Sequence, residues 1–225
     1  MKQTLVIIAI LISGVFQGGE GMSAEKTVRY VALGDSYTIG TGARPEQSWP
    51  AVITERLKTK GIAISLEANL GRSGWTSQDL IDFQLPEAER LRPDLVTVLI
   101  GTNDWVHGMD AATYRTNIRE IFKRLVQLVP DRARIIVVTC PDFSLMPVGA
   151  EYSGGRDISQ GISEFNEIVM EEAQAYPLTV VDLYPFSRTI DEDKSYASPD
   201  GLHPSAKGYA RWADVIQPSF DDLDL

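Results

Sequence analysis

Five short apolar segments, separated by stretches with helical spacing, constrain the fold more than any other feature of this 225-residue sequence. The segments occupy residues 28–33, 62–70, 95–100, 134–139 and 178–183. Three of them are rich in Val and Ile and alternate little between apolar and polar residues, which is typical of strands buried on both faces of a parallel sheet. Parallel strands need crossover connections, and these are right-handed. The sequence therefore predicts an α/β fold with a doubly wound sheet of about five parallel strands.

Helical patterns lie between the predicted strands. The clearest ones cover residues 48–61, 110–130, 158–176 and 204–216. Ser48 is the predicted N-cap of the first helix, and Gly61 is the predicted stop. Pro204 is predicted at the first position of the last helix, where a missing N–H is tolerated. Neither an internal repeat nor a low-complexity linker interrupts the pattern, so we expect one domain over residues 25–225.

The composition restricts the partners of the chain. Its formal net charge is −10, and an acidic chain repels phosphate, so we expect no nucleic-acid partner. Cys140 is the only cysteine, which excludes an intrachain disulfide, and its place at the end of an apolar segment predicts a buried thiol. With two histidines and one cysteine the chain is poorly suited to a dedicated zinc site, and we expect no metal.

The first 24 residues have the pattern of a secretory signal peptide. Lys2 gives a basic start, residues 5–12 form a continuous apolar core, and "GMSA" offers a cleavage site after Ala24. This core is shorter than the roughly 20 apolar residues that a spanning helix needs. We therefore expect a secreted or periplasmic protein with no stable membrane span once residues 1–24 are removed. Retention of this segment as an uncleaved anchor is the alternative.

Polar segments follow several of the predicted strands. They read "GDS" at 34–36, "NLGRSGWTS" at 69–77 and "GTNDW" at 101–105, and "PDGLHP" follows near the C-terminus at 199–204. In an open parallel sheet, ligands bind outside the carboxyl ends of the strands. We therefore expect these four segments to converge on one crevice.

The four segments contain the groups that acyl transfer requires. Ser36 is the predicted nucleophile and His203 the predicted base, and Asp200, three residues earlier, can hold the imidazole in the required tautomer. The backbone N–H groups of Ser36 and Gly74, with the side-chain amide of Asn103, are the predicted oxyanion hole. Taken singly, each motif is equally compatible with a turn or a helix cap. Their joint occurrence at the strand ends of one α/β pattern favours catalysis.

These motifs resemble the four blocks of the SGNH hydrolases, the GDSL esterase and lipase family. "GDS" matches the first block with Ser36, "SGWTS" the second with Gly74, "GTND" the third with Asn103, and "DGLHP" the last. The first block reads Gly-Asp-Ser-Tyr, with Tyr37 where the family name has Leu. The resemblance covers nearly the whole chain after residue 24. It implies a three-layer α/β/α flavodoxin-like fold and a serine esterase mechanism without metal or cofactor, but not one substrate.

Aromatic residues beside these motifs are candidates for substrate binding. Tyr37, Trp75 and Trp105 can line an acyl pocket or stack on a sugar ring, although each can equally pack the loops onto the scaffold. The long segment 141–157 contains Phe143 and can form an apolar wall or lid. The partner that we expect is a small-molecule ester, either a lipid or an acylated carbohydrate.

The leading prediction is a secreted serine esterase that hydrolyses carboxylic esters with short or medium acyl groups. Alternatives within the family are a carbohydrate O-acetylesterase, a lysophospholipase or a thioesterase. An acyltransferase remains open, because no residue separates it from a hydrolase. A non-catalytic glycan- or lipid-binding module, and more weakly a flavin-binding protein, are the alternatives from other classes.

Overall fold

The computed structural model describes residues 26–190 and 193–223, so the predicted signal segment 1–24 lies outside the described residues. The sheet has five parallel strands in the order β2-β1-β3-β4-β5, which is the flavodoxin-like arrangement. The strands are β1 (Val28–Gly34), β2 (Ile64–Asn69), β3 (Leu95–Leu99), β4 (Ile135–Val138) and β5 (Thr179–Val181). The predicted α/β class and parallel sheet are confirmed.

The burial of the central strands on both faces explains why they can be recognised in the sequence. Every residue of β3 and β4 is buried, and β1 departs from this only at Arg29. The edge strands β2 and β5 are mostly half-buried, and β5 is only three residues long. The chain order reverses between β1 and β3, whose residues pair in register from Tyr30 with Leu95 to Gly34 with Leu99. This switch point is where ligands bind in folds of this type.

Helices cover both faces of the sheet. They are α1 (Ser36–Ile39), α2 (Trp49–Thr59), α3 (Ser77–Asp79), α4 (Leu85–Leu91), α5 (Thr102–Val106), α6 (Ala111–Leu128), α7 (Ile158–Ala175), α8 (Tyr184–Ser187), α9 (Ala206–Ile216) and α10 (Pro218–Asp221). Helix α2 packs against α9, and α6 packs against both α4 and α7. Apolar side chains of α6 recur on one face, which buries Ile118, Ile121, Phe122 and Leu125.

One predicted helix start is confirmed and one needs correction. Ser48 is the N-cap residue of α2 as predicted, although its hydroxyl donates to the Pro45 carbonyl at 2.8 Å and makes no capping bond. The last helix begins at Ala206 rather than at Pro204, because Ser205 is its N-cap and accepts a hydrogen bond from the Gly208 N–H. Pro204 pairs instead with Ala197 in an isolated antiparallel bridge.

The connection from β2 to β3 is helical, although the sequence pattern did not single it out. A π-helical turn, Leu80–Gln84, joins α3 to α4. This turn interrupts the regular 3.6-residue spacing, and Phe83 within it is exposed. Both effects hide the apolar stripe by which a helix is recognised.

The segment 141–157 is folded onto the body of the protein. Phe143 and Met146 are buried, and a 3₁₀ turn forms at Gly149–Tyr152. Cys140, just before it, is buried as predicted. Across residues 26–190 and 193–223, none of the helices combines the length and the apolar character needed to cross a membrane.

Candidate active site

The first motif turns sharply at the carboxyl end of β1. Gly34 has φ +152°, and a Cβ at this position would overlap Thr38 and the Leu99 carbonyl, so only glycine fits. Asp35 is the N-cap of α1 and accepts a hydrogen bond from the Tyr37 N–H at 2.9 Å. Ser36 is the first residue of α1, where the N–H has no acceptor within the helix. The turn therefore places Ser36 at the switch point of the sheet.

The last motif forms a closed loop that holds His203. The Ser198 N–H donates to the His203 carbonyl at 2.8 Å and closes the loop. Asp200 Oδ2 lies 2.8 Å from His203 Nδ1, and Oδ1 accepts hydrogen bonds from Ser198 Oγ and from the N–H groups of Leu202 and His203. The imidazole therefore has a fixed orientation, with Nε2 as its other ring nitrogen.

The hydrogen bonds to Asp200 keep its carboxylate ionised. Partial burial acts to raise the pKa of Asp200, but the N–H groups of His203 and Leu202 and the Ser198 hydroxyl outweigh it and lower that pKa. Two further contacts fix the loop against the first motif. Pro204 O and Ser198 lie against Gly42, where no Cβ would fit, and the Tyr37 ring packs 5.5 Å from the His203 ring.

The second and third motifs are tied to each other by two polar contacts. Asn103 Nδ2 donates to the Trp75 carbonyl at 2.9 Å, which leaves the second hydrogen of the amide available. The buried carboxylate of Asp104 accepts hydrogen bonds from the N–H and the hydroxyl of Ser77. Gly74 has φ +81°, a conformation that favours glycine. These contacts fix the position of Asn103 relative to Gly74.

Residues from all four motifs line one cleft of about 180 Å³. Its lining includes Ser36, Gly74, Asn103 and His203, together with Ser73, Tyr37, Thr102, Val106, Phe143, Tyr152 and Leu202. In the part of the chain that the structure describes, no hydrogen bond joins Ser36 Oγ to His203. Such bonds often tighten only when substrate is bound.

The three aromatic residues predicted to contact substrate occupy different environments. Tyr37 lines the cleft, although most of its ring is packed against His203 and Trp212. Trp75 lies outside the cleft and lines an adjoining groove. Trp105 is buried against Phe143 and does not line the cleft. In this structure Trp105 therefore packs its loop onto the scaffold.

Tyr152 is a cleft residue that the sequence analysis missed. It is 43% exposed and lies in the turn Gly149–Tyr152. Arg156 holds this turn against the third motif, because its guanidinium lies 4.0 Å from the centroid of the Trp105 ring and donates to the carbonyls of Trp105 and Val106. The four motifs contain no signal for Tyr152, since tertiary contacts of its segment bring it to the cleft, including the hydrogen bond from the Val148 N–H to the Gly201 carbonyl.

Two acidic residues lie behind the cleft. Burial raises the pKa of Asp35 to about 7, because the one hydrogen bond that Oδ1 accepts offsets it only in part and the buried Oδ2 has no hydrogen-bond partner among the described residues. Burial also raises the pKa of Asp104, against the hydrogen bonds from Ser77. The buried thiol of Cys140 has a raised pKa as well, so it is a poor nucleophile. Over residues 26–190 and 193–223, His, Cys and acidic side chains form no cluster of three suited to a metal ion.

Sequence comparison identifies the family. The pattern of the GDSL-like lipase/acylhydrolase family matches residues 32–211, which include all four motifs. The match covers most of the chain, and the chain belongs to this family. The resemblance inferred from the motifs is thereby confirmed.

Individual relatives are distant. The chain is 23% identical to an acetylxylan esterase of Xylanibacter ruminicola in an alignment 221 positions long, which covers 85% of this chain but only 43% of that protein. It is also 23% identical to an arylesterase of Vibrio mimicus, with 86% of this chain and 88% of the other covered. Among solved structures, the acetylxylan esterase Axe2 from Geobacillus stearothermophilus shares the fold with a TM-score of 0.68, at 20% identity over 85% of this chain and 93% of that one.

Family membership defines the class of reaction. The protein is a carboxylic ester hydrolase, a class whose substrates are small-molecule esters.

Proposed function

We propose that the protein is a secreted serine esterase that hydrolyses carboxylic esters with short or medium acyl groups. The single observation that carries this proposal is the convergence of Ser36, Gly74, Asn103 and His203 on one cleft, with Asp200 bonded to His203 Nδ1. A non-catalytic binding module would need neither this pair nor the three donors around Ser36.

The proposed reaction has two halves. Ser36 Oγ attacks the ester carbonyl carbon while His203 Nε2 takes the hydroxyl proton, and Asp200 stabilises the imidazolium. The N–H groups of Ser36 and Gly74 and the free amide hydrogen of Asn103 stabilise the negative oxygen. His203 then returns the proton to the departing alcohol, and an acyl group remains on Ser36. A water molecule then attacks the acyl carbon as it gives a proton to His203. His203 passes that proton to Ser36 Oγ as the acyl bond to Ser36 breaks, which releases the acid and restores the enzyme.

The size of the cleft supports the preference for short or medium acyl groups. Its volume of about 180 Å³ is below the roughly 300 Å³ at which pockets for drug-sized ligands begin. Phe143, Tyr152 and Leu202 are bulky side chains in its lining. A series of aryl esters of increasing chain length tests this preference, which is refuted if activity rises steadily to long chains.

The catalytic roles are tested with para-nitrophenyl acetate. We expect Ser36→Ala and His203→Ala to lower kcat by about 10³-fold or more, because neither variant can form and release the acyl-enzyme with base catalysis. Ser73→Ala is the matched control, since Ser73 lies at the edge of the same cleft but outside the proposed mechanism. Wild-type kcat in either of the first two variants would contradict the proposed roles.

Secretion is supported by the pattern of residues 1–24 alone. If the segment is a cleaved signal, the exported protein begins at Glu25. N-terminal sequencing of protein recovered outside the cytoplasm tests this, and a start at Met1 would indicate an uncleaved anchor.

A further inference from the structure

An open groove of about 780 Å³ adjoins the cleft. Ser73 lines both the groove and the cleft, so the two are adjacent at this residue. The second motif runs along this boundary, with the backbone of Gly74 at the cleft and Trp75 in the groove. The shortest way from the groove to the cleft therefore runs past Ser73.

Two aromatic rings form one wall of the groove. Phe83 and Trp75 have ring centroids 5.5 Å apart and an interplanar angle of 43°. Phe83 is 61% exposed, the largest exposure of any large apolar side chain among the described residues. A single exposed aromatic ring is ordinary, but here it lies beside a second ring and next to the cleft. The pair forms a partly exposed aromatic platform.

The groove also presents a charged hydrogen-bond donor. Arg72 lies with its guanidinium carbon 5.9 Å from the centroid of the Trp75 ring. Within the described ranges this guanidinium has no carboxylate partner, although the formal net charge of the chain is −10. Glu87, on the same groove, is paired with Arg90. Arg72 therefore has donors available for a ligand.

The combination of aromatic rings and a guanidinium in one groove favours a particular class of ligand. A sugar ring has an apolar C–H face that stacks on an aromatic ring, and hydroxyl groups around its edge that accept hydrogen bonds from a guanidinium. An acyl chain would contact the rings but would gain no hydrogen bond from Arg72, whose exposed donors would stay bonded to water. The open, mixed lining of the groove favours the sugar.

We propose that this groove binds the sugar units of an O-acylated oligosaccharide, whose ester group reaches Ser36 past Ser73. The inference rests on the proposed esterase function and deepens it, because it assigns the alcohol part of the substrate to a carbohydrate. Under it, Phe83 and Trp75 bind sugar units beyond the one that carries the ester.

Phe83→Ala tests the platform, with Phe83→Tyr as the matched control that keeps the ring. The substrates are acetylated xylo-oligosaccharides of increasing length, para-nitrophenyl acetate and para-nitrophenyl decanoate. Loss of a stacking contact should raise KM for the longer oligosaccharides roughly three- to ten-fold, with a much smaller change for the aryl acetate. Phe83→Tyr, which keeps the ring, should have the KM of the wild type. An equal change for the oligosaccharides and the aryl acetate, or a change confined to the decanoate, would overturn the proposal.

A binding measurement separates this inference from the proposed mechanism. Calorimetric titration of Ser36→Ala with a non-acylated xylo-oligosaccharide requires no catalysis. We expect binding that weakens roughly three- to ten-fold when Phe83→Ala is added. Binding that is absent, or that does not depend on Phe83, refutes the groove assignment even if Ser36 is the nucleophile. Hydrolysis that persists in Ser36→Ala refutes the mechanism instead.

Discussion

Two regions around the cleft shift the pKa values of their carboxyl groups in opposite directions. In the loop that carries His203, Asp200 is 41% exposed and accepts four hydrogen bonds, and its pKa is lowered. Behind the ends of β1 and β3, Asp35 and Asp104 are fully buried, and burial raises the pKa of both. Within one site, aspartate is thus exposed and well hydrogen-bonded in one region and buried in the other. The difference indicates that the loop maintains a charge, whereas the interior uses carboxyl groups as structural acceptors.

The largest expected effect comes from Asp200. Asp200→Asn should lower kcat on para-nitrophenyl acetate by about 10³-fold, because the amide can stabilise the wrong tautomer of His203 and cannot stabilise the imidazolium. Asp193→Asn is the matched control, because Asp193 pairs with Lys207 outside the cleft lining. An Asp200→Asn variant with at least a tenth of the wild-type kcat would show that this carboxylate is as structural as those behind the cleft.

Asp35 should make the stability of the protein depend on pH. Its folded pKa, about 7, is above the ordinary value of 3.8, so the folded state holds a proton that the unfolded state has lost between these pH values. The free energy of unfolding therefore falls as pH rises from about 4 to about 7. Asp35→Asn removes this titration. As pH rises from about 4 to about 7, the free energy of unfolding of the variant should rise relative to that of the wild type by on the order of 3 kcal/mol.

Urea titrations of both proteins at several pH values measure this effect. The comparison at each pH cancels the contributions of all other titrating groups that the two proteins share. A constant difference between the two proteins from about pH 4 to about pH 7 would mean that Asp35 is ionised throughout and has an unrecognised partner.

The smallest effect is expected from Asp104. Asp104→Ala leaves the N–H and hydroxyl of Ser77 without their buried acceptor, which should lower the free energy of unfolding by about 2 kcal/mol. Asp104→Asn keeps one acceptor oxygen and should recover part of this loss. Urea unfolding at one pH measures both. If Asp104→Ala lowers kcat without lowering stability, Asp104 belongs functionally with Asp200.

The same contrast explains what the sequence could predict. The central strands are buried on both faces, so β1, β3 and β4 appear as apolar runs, and the relation between Asp200 and His203 is a local spacing of three residues. The π-helical turn at Leu80–Gln84 breaks the periodicity on which helix prediction depends. Tyr152 and Phe83 reach the cleft and the groove through folding of distant segments, and no local pattern marks either of them.

The position of Pro204 shows how a local rule is overridden. Proline at a first helical position is favourable, and the rule predicts a helix start there. The closed loop that holds His203 instead pairs Pro204 with Ala197, and the helix starts after the Ser205 cap. The geometry of the candidate site thus determines where α9 begins.

Covalent labelling of Ser36 tests the central claim most directly. A fluorophosphonate probe reacts with a serine only when a base activates the hydroxyl and donors stabilise the charged oxygen. The intact protein is labelled, and the modified residue is located by peptide mass spectrometry. The proposed mechanism predicts one adduct, on Ser36, that forms far more slowly in His203→Ala. An adduct on another residue, or no adduct from a preparation that hydrolyses esters, would contradict it.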